Sequence, residues 1–229
     1  MPPKTAEKRS LKVDLHIHSH FSPDGGMSPE EVLKTAEMAG LDVIAVTDHN
    51  TIKGGLETRK LVRERDIIVI VGEEIKTEDG EVIGLGLKEN IEKGLPLEET
   101  CRLIKGQKGL VMIPHPFEKL RKGVGKKMKN IIDYIDAVEV FNARCYFERS
   151  NRKAEEFARE HNLPVCAGSD AHFSMEIGSA YMVIDSEKNA DSVLRALKEC
   201  KAAIVGKRTG IRPHLKTTGK NIKRKLRPG

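Results

Sequence analysis

The chain has 229 residues, 38% of them hydrophobic and 32% charged, with a formal net charge of +6. That length suits one large domain, or a domain with a tail, and allows a substantial buried core. The longest apolar runs, such as 67–72, are far too short to cross a bilayer, and the first ten residues have no apolar stretch behind their charges, so neither a membrane protein nor a secretory signal is expected. Cys101, Cys145, Cys166 and Cys200 are scattered without a Cys-x-x-Cys pair, which fits reduced thiols in a cytoplasmic protein better than a disulfide frame or a structural zinc site. The charge is uneven: 206–229 holds nine Lys or Arg and no acid, and without them the body stands at −3.

The first predicted strand, 13–18, carries Asp14-Leu15-His16-Ile17-His18. Strand residues two apart share a side, so both imidazoles are expected to face the sheet's interior while Leu15 and Ile17 face a covering layer. Such a pair can grip one metal ion, although two hydrogen-bonded core histidines would read the same way. Asp24 follows in the next loop. Ser28-Pro29-Glu30-Glu31 then opens the clearest helix, a capping box with proline at the first helical position, and Gly40 ends it. The second strand, 42–47, closes on Asp48-His49, with His49 expected as a ligand and Asp48 either as the acceptor fixing an imidazole or as a helix cap. A third strand, 67–75, contains Glu73-Glu74, and a fourth, 81–87, begins at Glu81. The fifth, 110–113, runs into Pro114-His115-Pro116, where the prolines stiffen the backbone around one imidazole.

A basic run follows His115: Lys119, Arg121, Lys122, Lys126, Lys127 and Lys129. On the rim of a site it would attract polyanions, with Lys122 and Lys126 as expected substrate contacts; elsewhere it is a solvated surface. The sixth strand, 137–141, leads to Arg144, either a bidentate clamp for a phosphate or a surface arginine opening the helix at about 147–161. The seventh strand, 164–168, ends in Ser169-Asp170-Ala171-His172, which repeats the two-apart spacing. A strand at 181–184, a helix at 191–200 and a last strand at 202–205 complete the body. This alternation predicts a largely parallel sheet covered by helices, and the lack of a nucleotide-binding glycine fingerprint favours a closed barrel. The expected divisions are an extension over 1–10, a barrel over 11–205 and a basic tail over 206–229. Five of the eight histidines fall at strand ends, the active face of parallel barrels.

In this order, Asp14-Leu15-His16-Ile17-His18-Ser19, Thr47-Asp48-His49, Gly72-Glu73-Glu74, Ile113-Pro114-His115-Pro116 and Gly168-Ser169-Asp170-Ala171-His172 resemble the motifs of the polymerase and histidinol phosphatase (PHP) family, over about 11–185. The resemblance implies a distorted seven-stranded β/α barrel that hydrolyses phosphoesters with two to three zinc, manganese or iron ions. It implies that His16, His18, Glu74 and Asp170 hold a first ion, that Glu74 bridges to a second completed by His115, and that Asp24, His49 and His172 hold a third. Glu73 is the fallback for the bridging acid. Many relatives have a histidine where this chain has Glu81, so Glu81 either substitutes as a ligand or is a solvated strand-edge acid. Asp170, Glu74 and Arg144 are the expected catalytic residues.

The expected substrate is a nucleotide, an oligonucleotide or a small phosphorylated metabolite. The tail is suited to non-specific contact with nucleic-acid phosphates, but has no Phe, Tyr or Trp to stack on bases. Two other readings stay open. A barrel hydrolase of another bond type would usually bridge its metals with a strand-end lysine, where this chain has Glu74. A non-catalytic nucleic-acid-binding module should have lost several ligands, whereas eight of the nine positions keep the residue types that the resemblance implies.

Overall fold

The computed structural model describes residues 7–121, 123–199 and 202–210. Lys122, the first six residues and the tail after Gly210 lie outside the described residues. In chain order the elements are β1 (Arg9–Ile17), α1 (Pro29–Met38), β2 (Val43–Val46), α2 (Lys53–Lys60), β3 (Ile68–Lys76), β4 (Glu81–Leu85), α3 (Leu97–Gly106), β5 (Leu110–Ile113), β6 (Ile135–Asn142), α4 (Glu148–Glu160), β7 (Val165–Gly168), β8 (Ala180–Ser186), α5 (Ala190–Lys198) and β9 (Ala203–Gly206). Each of the nine expected strands has its counterpart. Between β5 and β6 the connection is built of 3₁₀ turns, at Lys119–Arg121 and Gly125–Tyr134.

The strands form one sheet in the order β7-β6-β5-β4-β3-β2-β1-β8-β9. Its first seven strands curl into a nearly closed barrel. The Ile17–Ala171 bridge joins the far edges, reinforced by His18 N–H donating to Ala171 O at 2.8 Å and Ser169 N–H to Asp14 Oδ1 at 2.9 Å. β8 and β9 add antiparallel strands outside β1. The ring itself is mixed: β4 runs antiparallel to both β3 and β5. This reversal puts the first residue of β4, Glu81, beside Lys76 at the end where the parallel strands finish.

Apolar side chains set these layers. Leu11, Val13, Leu15, Ala45, Ile70, Ile83 and Met112 fill the barrel interior, where Val193 and Leu197 of α5 also pack. Ile17, Ile44 and Val46 instead meet Val32, Leu33 and Ala36 of α1. In α1, Ser28 Oγ accepts from Glu31 N–H while Glu31 Oε2 accepts from Ser28 N–H, as the capping box predicts.

Strict alternation on β1 fails at one point. Leu15 packs inside with Leu11 and Val13, while Ile17 packs outside, because the pairing of β1 with β2 shifts register between Asp14 and Ile17. An irregularity of this kind re-aims side chains, and it turns His16 and His18 into the barrel mouth above Leu15. Among the described residues no helix is long and apolar enough to cross a membrane.

Candidate metal centre

The mouth gathers all nine expected ligands. Glu74 stands in the middle: its Oε2 lies 2.9 Å from His49 Nδ1, 3.3 Å from His18 Nε2 and 3.5 Å from His16 Nε2, and its Oε1 lies 3.0 Å from His115 Nε2. Asp170 Oδ1 is 3.5 Å from His18 Nε2, 3.7 Å from His16 Nε2 and 3.5 Å from His172 Nδ1. Asp24 joins His49 at 3.6 Å and His172 at 3.3 Å. Glu81 Oε2 reaches within 3.9 Å of His115 Nε2. Glu73, the fallback for the bridging acid, points to the opposite side of β3 from Glu74 and accepts from Ile91 N–H at 2.9 Å. Burial pushes the Glu73 carboxyl up to about 7.

Hydrogen bonds behind the rings fix which nitrogen is available. His172 Nδ1 sits 2.9 Å from the carbonyl oxygen of Asp170, which can only accept, so the proton is on Nδ1 and the Nε2 lone pair faces Asp24. His16 Nδ1 faces Glu139 Oε1 at 3.0 Å. His18 Nδ1 faces Ser22 Oγ at 2.9 Å, and that hydroxyl donates to Asp48 Oδ1 at 2.8 Å. Asp48 also accepts from Ser19 N–H, Ser19 Oγ and Ser22 N–H, so it ties down the loop behind His18; α2 has no side-chain cap. Such acceptors orient ligand rings and raise their basicity.

The donors fit divalent cations. Glu74 Oε2, Asp170 Oδ1 and Asp24 Oδ1 are buried without a hydrogen bond of good geometry, although ring nitrogens face each of them. Ligand atoms of His16, Glu74 and His115 lie within 4.8 Å of one another, as do those of His16, His18 and Asp170, of His18, His49 and His172, and of His49, Glu74 and Glu81. Imidazole with carboxylate suits zinc, manganese and iron alike. Two of the expected ligands sit on strained backbone, His115 at φ 28° and Asp170 at φ 55°, a cost usually found where function fixes a side chain. Close packing adds a further constraint: a Cβ on Gly168 would lie 2.4 Å from His16 Cβ, so only glycine lets β7 approach β1 here.

The electrostatics follow from the crowding. For Glu74, burial alone would raise the pKa, but His49 and His16 outweigh it and hold the carboxyl well below its usual range. The same balance lowers Asp170, through Arg121 and His16, and Asp24, through His172 and His49. Burial works against a charged His16, but Asp170, Glu139 and Glu74 overcome it and draw a proton onto the ring. The carboxylate field that attracts this proton is the field that would hold a cation. His172 is different: burial, then His18 and Arg144, push it down to about 3, leaving a neutral ring. Glu81 is raised by burial and by the neighbouring Glu74 charge.

The cationic residues fall differently from the sequence expectation. Arg144 is buried, with Nε 3.2 Å from Glu176 Oε1. Glu176 in turn accepts from the N–H groups of His172 and Phe173, so Arg144 backs the His172 loop rather than opening to solvent. Arg121 enters the cluster instead, paired with Asp170 Oδ2 and 3.5 Å from Asn142 Oδ1. Lys126 is exposed beside a cavity of about 640 Å³ between the β5–β6 connection and α4, also lined by Phe117, Lys129 and Phe157. Glu139 and Asn142 are further members that sequence reasoning missed. Asn142 Nδ2 donates to both Glu139 Oε2 and Asp170 Oδ2 at 2.9 Å. The available signal was a lone acid inside the apolar run Ala137-Val138-Glu139-Val140.

Known proteins are similar to this chain in sequence and in fold. A family model described as PHP-associated matches residues 148–202, the stretch that contains Asp170 and His172. The uncharacterized protein MJ1587 of Methanocaldococcus jannaschii is 46% identical over 143 residues, covering 58% of this chain and 82% of that protein. A 5′-3′ exoribonuclease of Haemophilus influenzae is 38% identical over 103 residues, 43% of this chain and 35% of the relative. Among solved structures, a two-domain Bacteroides vulgatus protein containing a predicted PHP-like metal-dependent phosphoesterase has a similar fold. The TM-score is 0.76 at 20% identity, over 87% of this chain and 66% of that one. Ordered motifs, a nearly closed barrel and these matches agree, and the chain is similar to proteins of the polymerase and histidinol phosphatase (PHP) family.

Proposed function

We propose that this protein is a metal-dependent phosphoesterase whose substrate is a phosphate ester of a nucleotide or oligonucleotide. The observation that carries the reading is Glu74, whose two oxygens face four imidazoles while Oε2 has no hydrogen bond. A buried carboxylate so placed is suited to bridge cations, the role that a barrel hydrolase of another bond type usually gives to a lysine.

In this reading His16, His18, Glu74 and Asp170 would hold one ion, Glu74, His115 and Glu81 a second, and Asp24, His49 and His172 a third. Divalent ions held there would supply Lewis-acid chemistry, activating water and offsetting charge on the phosphoryl oxygens. Glu139 and Ser22 keep the His16 and His18 rings turned with Nε2 inward. Arg121, at the cluster on a 3₁₀ turn, supplies a guanidinium that can transfer from Asp170 to a phosphate oxygen pair. Arg144 positions the His172 loop through Glu176. The exoribonuclease relative supports a nucleic-acid ester over a small metabolite.

The test is metal content together with turnover. Gently purified protein should carry two to three transition-metal ions per chain, and stripped protein given manganese, zinc or iron should hydrolyse phosphate esters. Asp170→Ala and His16→Ala should lose most activity and metal while keeping the wild-type circular dichroism. Less than one ion per chain in active protein, or wild-type turnover in either variant, would overturn the assignment.

A further inference from the structure

We infer that the cationic segment starting at Lys207 is an arm rooted on the rim of the metal centre, and that it holds a polynucleotide strand whose ester enters that centre. The inference rests on the phosphoesterase reading and narrows its substrate from a nucleotide to a strand long enough to lie on the arm and in the centre together.

Topology brings the root to the mouth. β8 runs antiparallel to β1 and β9 antiparallel to β8, so β9 runs in the direction of β1 and finishes at the same end of the barrel. Its last residue, Gly206, lies against Phe141, where a Cβ would come 2.3 Å from Cε1 of the ring. Only a residue without a side chain lets the end of β9 approach β6 so closely. Phe141 directly precedes Asn142, whose amide donates to Asp170 Oδ2 at 2.9 Å.

Hydrogen bonds then pin the next three residues from two sides. Lys207 N–H donates to Ser179 O at 2.7 Å, and Ser179 N–H donates to Glu176 O at 3.0 Å. The Glu176 carboxylate accepts from His172 N–H at 3.0 Å, so this side of the root is tied to an expected ligand. On the other side Thr209 N–H donates to Ala143 O at 2.9 Å, and Ala143 N–H donates to Gly168 O at 3.2 Å, two residues before Asp170. Arg208 closes the set by donating from Nη1 to the Tyr146 carbonyl at 3.1 Å. The chain therefore reaches Gly210 between the loop that carries His172 and the loop that follows Asn142.

Charge names the occupant. Residues 206–229 hold nine Lys or Arg and no acid, while the rest of the chain stands at −3. A net-negative body does not draw in a polyanion, so local cations have to, and the fold delivers these cations to the end of the barrel where an ester would be cleaved. Without Phe, Tyr or Trp the segment is suited to phosphates rather than to bases. A mononucleotide spends its phosphate on the centre and leaves nothing for the arm, whereas a strand offers one phosphate per nucleotide to both. Once the arm holds the strand, entry of its ester is intramolecular and the effective concentration at the centre rises.

Placement of the root distinguishes this arm from a basic tail that acts by charge alone, and the experiment moves it. The nine residues of β1 span about 30 Å, so Arg9 stands at the end of the barrel away from the mouth. Single-stranded oligoadenylates of two and of twelve nucleotides are given to three metal-loaded proteins at about 50 mM salt. One is full-length, one ends after Gly210, and one has residues 211–229 transferred ahead of Met1. In full-length protein the KM for the twelve-mer should lie about a hundredfold below that for the dimer. Both altered proteins should lose that ratio. The transferred form should nevertheless bind a phosphorothioate twelve-mer more tightly than the shortened form, as read by anisotropy. Equal KM values for the two lengths in full-length protein would overturn the arm. So would a ratio that survives in either altered protein, or a transferred form that binds the probe no better than the shortened one. Hydrolysis of neither length by full-length protein would sink the phosphoesterase reading itself, and the arm with it.

Discussion

Glu139 Oε1 lies 3.0 Å from Nδ1 of His16, and both side chains are fully buried. The other carboxylate oxygen accepts the His115 backbone N–H at 2.8 Å, so one acid on β6 orients the His16 ring on β1 and the backbone of His115 after β5. Glu139→Gln keeps the shape but removes the charge that favours Nε2 as a donor. Metal affinity should fall about 10- to 100-fold, in the range seen for such supporting residues. A titration of stripped protein with manganese checks it. An unchanged dissociation constant would leave Glu139 as core filling.

Glu81 gives a sharper probe of the second ion position. Its carboxylate is near His115, and burial together with the Glu74 charge raises its pKa against the pull of that ring. Glu81→Ala should lower activity at limiting metal, and excess metal should partly restore it. The same variant should keep the wild-type melting temperature within a few degrees, because a half-buried strand-end acid contributes little packing. No activity change at limiting metal would return Glu81 to the solvated edge.

Most of the frame was legible in the sequence because its signals are local. Apolar runs gave the strands, and Ser28 with Glu31 gave the start of α1. Most of the expected ligands fell at strand ends that a barrel necessarily brings together. What was not legible depends on pairing between distant segments. Nothing in Glu81–Leu85 states that β4 runs antiparallel, and its direction decides whether Glu81 reaches the mouth. The register shift in β1 breaks the alternation after Leu15, which stays inside with Leu11 and Val13 while Ile17 packs outside. Arg144 and Arg121 look equivalent as letters; only the fold shows Glu176 facing the first and Asp170 the second. Glu139 reads as one acid in an apolar strand until His16 is found against it.

Thiol chemistry tests the core. Cys101, on the inner face of α3, is fully buried, and burial pushes its thiol up to about 12; Cys145 is raised in the same way. Both should resist iodoacetamide at pH 8 in the native protein and react within minutes in denaturant, as peptide mass spectrometry would show. The pH dependence has a definite sign. Between an unfolded thiol pKa of about 8.5 and the raised native value, the folded state keeps a proton that the unfolded state has lost. Stability should therefore be unaffected by this group below that window and fall as pH rises through it. Rapid native labelling of Cys101 would contradict its burial.

The tail prediction separates binding by charge from docking. Lys207 N–H donates to Ser179 O at 2.7 Å and Thr209 N–H to Ala143 O, so the first four residues of the expected tail belong to the barrel. Ending the chain after Gly210 keeps those contacts and removes seven of the nine cations: Arg212, Lys216, Lys220, Lys223, Arg224, Lys225 and Arg227. If these residues engage phosphates, full-length protein should lose roughly a thousandfold in nucleic-acid affinity between about 50 and 200 mM salt, a slope that corresponds to about six contacts. The shortened protein should bind more weakly at low salt and with a much shallower slope. Its hydrolysis of a small phosphomonoester should stay near the full-length rate, because every proposed ligand precedes Ala180. Cutting before Lys207 should do more, since it also frees the loop that carries Tyr146 from Arg208. Equal affinity and equal salt slope before and after removal of the seven cations would mean that the tail serves some other contact. Polyanion attraction would then fall to the cations of the rim.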